Sequence, residues 1–388
     1  MHCELRYEIY TSARGSWRNG STDQLRKELR ERREVLVSMS SFGIATKLIF
    51  IVVLTNIAAV NSDAGWNLRT QRTRPKEIQE ERFVSLGGID QWITIRSANS
   101  ANPVLLIVHG GPGDAQSSLR SVYAIYEKDF TIVQWDQRGA GRTFGRNPSS
   151  PPKPERVELD GIELAQYLCN YLAKKKILVL GHSWGSHLAI EMVQKRPDLF
   201  AAYIGTGQVG SWRLNVRAQF NFLLAKARAA NDHKRVQQLE AIGAPDPNDA
   251  TQYFSWWSMR NPYMPADDAK WFQELREIAK SDPQFTDEFL KTFGEGMKYS
   301  GQTTVGAMLA TELPTTANRL EVPFFLIQGK DDMVTPTSVA LQYFNVVKAP
   351  KKKLILIDHA GHFALVTHRE EFLMALIKYV RPLAKRVQ

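Results

Sequence analysis

Residues 178–185 read Leu-Val-Leu-Gly-His-Ser-Trp-Gly, and this stretch decides the fold. Its apolar start predicts the end of a buried strand, and residues 186–195 behind it predict a helix. Between them stands the G-x-S-x-G pattern, whose glycines allow a tight, strained turn that lifts a serine hydroxyl above a sheet. A glycine-rich structural turn is the alternative interpretation. Because a strand and a helix flank the pattern in the required order, we predict that Ser183 is a nucleophile.

Two candidates for a supporting carboxylate follow the predicted strand 323–328. A serine hydroxyl needs a histidine to take its proton and a carboxylate to orient that histidine. After a turn of this kind, both residues come later in the chain. The spacing Gly329-x-x-Asp332-x-x-x-Pro336 favours Asp332 as the acid, and Asp331 is the competing candidate.

Two histidines lie in one loop after the last predicted strand, 353–357. We predict that His362, which follows Gly361, is the general base, and that His359 is a loop residue making local hydrogen bonds. Their three-residue separation also suits a metal ion, but the sequence offers no third ligand nearby. The role of general base is therefore the favoured one for His362.

The loop 109–113, His-Gly-Gly-Pro-Gly, follows the predicted strand 104–108. Acyl transfer places negative charge on the carbonyl oxygen of the substrate, and that charge needs hydrogen-bond donors. One predicted donor is the amide of Trp184, next after the nucleophile, and the other should come from the loop after the early strand. Because glycines let the backbone approach a substrate closely, Gly111 is the second predicted donor.

The rest of the chain alternates between strand and helix patterns, which is typical of α/β architecture. A hairpin around Gly87-Gly88 joins two predicted strands, 82–86 and 91–95. Short β-branched runs typical of parallel strands recur at 104–108, 131–135, 177–180, 201–205, 323–328 and 353–357. Between 209 and 318 the sequence becomes helical and aromatic. We predict an α/β fold, a mostly parallel sheet with helices on both faces, built from core segments 65–208 and 319–388 with a helical cap at 209–318 inserted between them.

Three motifs in this order resemble the proline iminopeptidase family of α/β-hydrolases, namely HGGPG at 109–113, DQRG at 136–139 and GxSWGS at 181–186. The similarity covers about 83–380. It implies an α/β-hydrolase fold, release of an N-terminal residue, often proline, from short peptides, and no metal or organic cofactor. Carried over by position, it implies a triad of Ser183, Asp332 and His362, with Gly111 and Trp184 at the oxyanion hole.

The substrate is where the sequence departs from that family. A cap glutamate after a tryptophan helps family members hold the free amino terminus of the substrate, and Ser258 stands at this position. His182, where the family often has glycine, is common in esterases of the same fold. Other cap glutamates are predicted to be solvated surface: Glu274, Glu277, Glu288 and Glu295. A carboxylesterase acting on small esters is therefore the alternative to an aminopeptidase, and a non-catalytic binding protein is the less favoured third hypothesis.

Two further features have open roles. Asp136 and Arg138, just after a predicted strand, are compatible with substrate contact and equally with an internal ion pair that supports the neighbouring loops. The aromatic stretch 253–257 is compatible with the core of the cap and with the lining of a pocket. The sequence leaves both pairs of alternatives open.

Composition bounds the class of protein. With 388 residues, 43% hydrophobic and 23% charged, the chain resembles an enzyme-sized globular protein with an extension. The net charge of +10 comes from scattered basic residues without a recognition-helix or zinc-finger spacing, so we expect no nucleic acid partner. Cys3 and Cys169 are too few for a disulfide framework or a zinc site. The expected partner is a small peptide or ester, and the oligomeric state stays open.

The N-terminal extension, 1–64, contains the uncharged apolar stretch 48–60. This stretch is shorter than the roughly 20 residues needed to span a bilayer, and it resembles the hydrophobic region of a secretory signal cut before Gly65. The prefix before Met39 is unusually long for a signal, so Met39 is an alternative start. We expect export to the periplasm or the medium. If the segment stays uncleaved, it provides the one expected contact with the membrane.

Overall fold

A computed structural model describes residues 76–244, 246 and 258–385. The predicted signal segment 48–60, both candidate start residues and the aromatic stretch 253–257 lie outside these described residues. Within them, no helix combines the length and the apolar character that crossing a membrane requires.

Eight strands form one sheet in the described part of the chain: β1 (Ile78–Leu86), β2 (Ile89–Ser97), β3 (Val104–Val108), β4 (Thr131–Trp135), β5 (Ile177–His182), β6 (Phe200–Thr206), β7 (Phe324–Gly329) and β8 (Lys352–Ile357). Their order across the sheet is β1-β2-β4-β3-β5-β6-β7-β8. The β1–β2 and β2–β4 pairs are antiparallel. All other neighbours are parallel, so the predicted α/β architecture is confirmed.

The central strands are buried because both faces of the sheet are covered. In β3, Leu106 belongs to one hydrophobic core and Leu105 to the other, as expected when successive side chains point to opposite faces. All five residues of β3 and all five of β4 are buried. This explains why β3 is a continuous apolar run and why β4 is a short run rich in β-branched residues. The predicted bounds of these two strands are confirmed.

The helices of seven or more residues in the described part are α1 (Pro154–Tyr171), α2 (Trp184–Lys195), α3 (Trp212–Ala229), α4 (His233–Ile242), α5 (Ala266–Ser281), α6 (Asp287–Leu309), α7 (Thr337–Val346) and α8 (Arg369–Ala375). Shorter helical turns occupy Arg120–Tyr123, Ala124–Tyr126, Gly141–Arg146, Pro197–Leu199, Ser258–Tyr263, Leu313–Thr316, Ala364–Thr367, Leu376–Val380 and Arg381–Lys385. Leu164 of α1, Leu188 of α2 and Tyr343 of α7 pack into one core. Phe372 of α8 and Tyr126 pack into the other, so helices cover both faces.

Helices α3 to α6 stand between β6 and β7, within the region predicted as a cap. The chain enters and leaves this region side by side, because Ser211 and Glu312 form an antiparallel bridge. The Ser211 hydroxyl also donates to the Glu312 carboxylate at 2.8 Å. A second attachment comes from Ser300 of α6, whose hydroxyl donates to the carbonyl of Gly139 at 2.8 Å. These contacts fix the cap above the sheet, while its outer limits at 209 and 318 stay predictions.

Candidate active site

Ser183 lies at the turn between β5 and α2, with φ 55° and ψ −127°. Non-glycine residues rarely adopt a positive φ, and such strain persists only where the surroundings enforce it. The Ser183 amide donates to the carbonyl of Thr206 on the neighbouring strand at 3.1 Å, which ties the turn to the sheet. Ser183 is half-buried and lines a cavity.

The two motif glycines are required by close backbone contacts. A Cβ atom at Gly185 would overlap the carbonyl oxygen of Val108 on β3. A Cβ atom at Gly181 would lie 2.6 Å from the carbonyl oxygen of Gly185, far inside normal contact distance. The first turn of α2 can therefore pass directly beside β3 only with glycine at 185, and beside β5 only with glycine at 181.

Asp332 and His362 form a buried pair. The Nδ1 atom of His362 lies 2.9 Å and 3.1 Å from the two carboxylate oxygens of Asp332. Four further donors hold that carboxylate, namely the amides of Val334 and Thr335, the Thr335 hydroxyl and the Gln328 amide group. His362 and Ser183 line one cavity. The structure thus brings the three predicted triad residues together.

The protonation of this pair follows from its surroundings. Burial by itself would raise the pKa of the Asp332 carboxyl, but the facing His362 ring and the hydrogen bonds from His362 and Thr335 hold it below its ordinary value of 3.8. Asp332 is therefore an anion that favours the tautomer of His362 with its proton on Nδ1, in which Nε2 is the acceptor nitrogen.

The competing residues in the two loops lie elsewhere. Asp331 is exposed, and its amide donates to the carbonyl of Ala360 at 2.9 Å. His359 is also exposed, with φ 59° in the left-handed region. In the described part of the chain, no group of three or more His, Cys, Asp or Glu side chains is arranged to hold a metal ion. The geometry favours Asp332 and His362 over their neighbours.

The predicted oxyanion donors lie against the nucleophile. Gly111, Ser183 and Trp184 line a common cavity of about 270 Å³. A Cβ atom at Gly110 would approach the Cβ atom of Ser183 to 2.8 Å, so this loop can reach the serine only because it carries glycine there. Gly111 has φ 110°, a conformation that side chains disfavour. A serine, a histidine–aspartate pair and two nearby amides are the groups that acyl transfer requires.

The backbone of His362 is held at both ends. Its amide donates to Oδ2 of Asp268 on α5 at 3.1 Å, and the amide of Phe363 donates to Oδ1 of the same carboxylate at 3.3 Å. On the other side, Nε2 of His182 lies 3.1 Å from the His362 carbonyl oxygen. Burial and the neighbouring His362 ring lower the pKa of His182 to about 3, so its neutral ring donates to that carbonyl.

Comparison with known proteins decides the family. The model of the serine aminopeptidase family S33 matches residues 99–368, well over half of the chain. The chain belongs to this family. The predictions of an α/β-hydrolase fold and of a serine hydrolase are therefore confirmed.

Relatives of this serine aminopeptidase family member align over most of its length. A probable aminopeptidase of Bacillus subtilis is 26% identical over 314 residues, which cover 79% of this chain and 98% of the relative. A probable proline iminopeptidase of Streptomyces coelicolor is 27% identical over 308 residues, or 71% of this chain and 87% of the relative. The crystal structure of proline iminopeptidase from Mycobacterium smegmatis superposes with a TM-score of 0.56 at 18% identity, covering 80% of this chain and all of that one.

Two carboxylates that the sequence did not single out face the substrate cavity of this hydrolase. Asp268 and Asp114 line a cavity of about 380 Å³ together with Ser183 and His362. Burial raises the pKa of the Asp268 carboxyl to about 6, against the opposing effect of His362. Burial also raises the pKa of Asp114, which Gln116 and His362 partly oppose. Asp114 directly follows the HGGPG loop, which is the only local signal that points to it.

The cap glutamates considered in the sequence do not reach this cavity. Glu274 pairs with Arg369 at 2.6 Å and Glu277 pairs with Lys280 at 3.0 Å. Glu288 and Glu295 are exposed. None of the four lines the cavity, so their interpretation as surface residues agrees with the structure.

Arg138 of the DQRG motif forms an internal ion pair, but not with Asp136. Its guanidinium binds Asp160 of α1, with distances of 2.8 Å and 3.2 Å, and the carbonyl of Gly87 at 2.9 Å. Asp136 instead accepts from the backbone amide of Arg142 at 2.9 Å. Arg138 does not line the Ser183 cavity, so the supporting role is the one that fits.

Proposed function

We propose that this enzyme is an aminopeptidase that releases the N-terminal residue of short peptides through an acyl-enzyme on Ser183. The Ser183 hydroxyl attacks the carbonyl carbon of the first peptide bond while Nε2 of His362 takes its proton. Asp332 stabilises the resulting imidazolium, and the amides of Gly111 and Trp184 bind the oxyanion. The C–N bond then breaks as His362 returns the proton to the leaving amine, and water hydrolyses the ester.

The charge of the substrate cavity is the observation that carries the proposal. Asp114 and Asp268 are the acidic groups on its wall, and no Lys or Arg occurs among the described residues that line it. Asp268 is 1% exposed, and no ion pair joins it to a described Lys or Arg. Burying a charge without a counter-ion is costly. The ammonium group of a free N-terminal residue would supply that counter-ion.

The remaining acceptor capacity of Asp268 is compatible with this role. Each of its oxygens accepts one backbone amide, from His362 and from Phe363. A carboxylate offers about four lone-pair sites, so an ammonium can be added to these two bonds. Asp268 would take the part that the family's cap glutamate plays, in place of Ser258.

A carboxylesterase remains the second candidate, because most of the cavity wall is apolar and would accept an uncharged acyl chain. The two candidates differ in whether the substrate needs a positive charge. An ester without an amino group would bring no counter-ion for Asp268 and Asp114.

Paired substrates separate the two candidates. We would compare kcat/KM for leucine and proline 4-nitroanilides, free and N-acetylated, and for 4-nitrophenyl butyrate. A hydrogen bond to a charged group is worth about 1.5–3 kcal/mol, so Asp268→Asn should lower kcat/KM for the free amines roughly 10- to 150-fold. Turnover of butyrate should fall by a smaller factor, because the ester needs only the His362 position that Asp268 helps to hold and not an ammonium contact. Asp331→Asn, an exposed aspartate next to the acid, is the matched control.

Two results would count against the proposal. If butyrate is the better substrate and N-acetylation does not impair the amides, the enzyme is an esterase. If Asp268→Asn impairs the amide and the ester equally, the carboxylate acts only on the position of His362, and the ammonium-binding role fails.

We further propose that residues 48–60 direct export, with cleavage before Gly65. The support is the uncharged apolar stretch and the small residues that follow it. N-terminal sequencing of the mature protein should find Gly65, and a chain that retains Met1 or Met39 would contradict the proposal.

A further inference from the structure

A group of phenylalanines forms part of the Ser183 cavity wall, away from its two carboxylates. Phe272 lies on α5, Phe289 and Phe293 lie on α6, and Phe285 lies between these helices. All four side chains are only half-buried, although each is large and apolar. Apolar rings that face a cavity instead of the core are typical of a ligand-binding wall.

Contacts between rings hold this aromatic wall in place. The rings of Phe285 and Phe289 meet edge to face with centroids 5.5 Å apart, and those of Phe289 and Phe293 are 6.1 Å apart. Phe272 packs edge to face on Phe363, next to the catalytic histidine, at 5.3 Å. Such contacts fix the orientation of the rings, so the wall is formed before a substrate arrives.

The size of the cavity bears on which residue it holds. Its volume of about 380 Å³ lies in the range of small-molecule pockets, about 300–1,000 Å³. A proline ring or a methyl group would leave water against the aromatic wall. A benzyl or isobutyl side chain would displace more of that water and contact the rings. Met264, Met297 and Met333 also line the cavity, and flexible thioethers accommodate side chains of different shape.

We propose that the enzyme prefers a large apolar N-terminal residue, such as phenylalanine or leucine, over proline and alanine. This proposal rests on the proposed aminopeptidase function. The ammonium group of the substrate lies at Asp268 and Asp114, and its side chain lies against Phe272, Phe289 and Phe293. The same cavity thus selects the substrate by the charge of its amino terminus and by the size of its first side chain.

The test is kcat/KM for the 4-nitroanilides of phenylalanine, leucine, alanine and proline. One methylene in an apolar pocket changes kcat/KM by about 10- to 200-fold. The kcat/KM values for phenylalanine and leucine should therefore exceed those for alanine and proline at least 100-fold. Equal or better turnover of alanine or proline would overturn the proposal.

A second substrate pair separates this proposal from the aminopeptidase function. The 4-nitrophenyl esters of 3-phenylpropionate and propionate match phenylalanine and alanine without the amino group. If the larger ester is favoured but a free amino group confers no advantage, the apolar pocket stands and the aminopeptidase function fails. If amines are favoured without regard to side-chain size, the function stands and the pocket assignment fails.

Filling the cavity supplies a matched pair of variants. Phe293→Trp should reduce the preference for phenylalanine over alanine at least tenfold, because the larger ring occupies the space of the substrate side chain. Phe222→Trp is the control, since Phe222 is a half-buried cap phenylalanine that lines a different cleft. Fluorophosphonate labelling of Ser183 would verify that both variants are folded. Equal changes in the two variants would contradict the assignment.

Discussion

The carboxylate of Asp268, near the start of cap helix α5, accepts a 3.1 Å hydrogen bond from the backbone amide of His362. The adjacent Asp267 accepts from the amide of Gly361 at 3.2 Å and from the Thr367 hydroxyl at 2.7 Å. Two successive cap residues therefore hold the loop that carries the histidine. The position of the proposed general base therefore depends on how the cap packs against this loop.

Stability should depend on pH through Asp268. Its pKa is raised from 3.8 to about 6, so between these values the folded protein holds a proton that the unfolded chain has released. The stability gained by holding this proton on Asp268 is complete below pH 3.8 and is lost as the pH rises through 6. Each pKa unit is worth 1.36 kcal/mol, so the free energy of unfolding should change by about 3 kcal/mol over this range. Relative to wild type, Asp268→Asn should gain stability between pH 4 and 7.5 in urea unfolding. If the difference in unfolding free energy between variant and wild type does not vary with pH, this linkage is excluded.

Replacing Ser183 should reveal the strain in its turn. Both Ser183→Ala and Ser183→Gly should abolish fluorophosphonate labelling, but only glycine adopts φ 55° without strain. Backbone strain of this kind costs about 1–3 kcal/mol. Glycine also makes the unfolded chain more flexible, which lowers the stability of the glycine variant by up to about 1 kcal/mol. We expect the glycine variant to be more stable than the alanine variant by about 1 kcal/mol in chemical denaturation. The strained turn is refuted if alanine is the more stable.

Asp332→Asn should remove nearly all turnover. An amide cannot stabilise the imidazolium and favours the wrong tautomer of His362, which costs about 10⁴-fold in kcat in triads of this kind. Asp331→Asn, one residue away and exposed, should behave like wild type in the same steady-state assay. The reverse pattern would identify Asp331, and not Asp332, as the carboxylate that supports His362.

Gly185→Ala should destabilise the fold severely, because its Cβ atom would overlap the Val108 carbonyl. The cost should reach at least the ~1–3 kcal/mol of an overpacked core. Gly306→Ala in α6 is the control, since nothing lies within 4 Å of its Cβ position. Alanine there should be neutral or stabilising by up to about 1 kcal/mol. Melting temperatures would show the contrast, and a tolerated Gly185→Ala would contradict the close approach of α2 to β3.

Arg138→Met should reduce stability without changing the chemistry. Arg138 is buried against Asp160, and removing one partner of a buried pair costs about 3–5 kcal/mol. Arg156 also binds Asp160, so we expect the lower end of that range. Arg146→Met breaks an exposed pair with Asp90 and should cost about 0–1 kcal/mol. A sharp fall in kcat/KM of the folded Arg138→Met variant would contradict this prediction and indicate that Arg138 contacts the substrate.

Much of the candidate site could be predicted because its groups sit in short motifs. Ser183 and Trp184 share one turn, Gly111 lies in a glycine loop, and Asp332 and His362 each follow a strand end. Strands buried on both faces are short runs rich in apolar and β-branched residues, which is why the bounds of β3 and β4 were predictable. The partner of Arg138 was not predictable, because Asp160 meets it only when α1 packs against the loop after β4.

The chain order by itself determined the parallel sheet, the nucleophile turn and the loops that carry its partners, because local backbone geometry and apolar patterning act between near neighbours. Only the tertiary structure decided which carboxylates face the substrate. Asp268 has no sequence feature that distinguishes it from other acids in a first helical turn, and Glu274, on the same helix, pairs with Arg369 instead. Burial sets the difference: the packing of α5 against the His362 loop removes Asp268 from water and places it beside Ser183, and no local pattern records that contact.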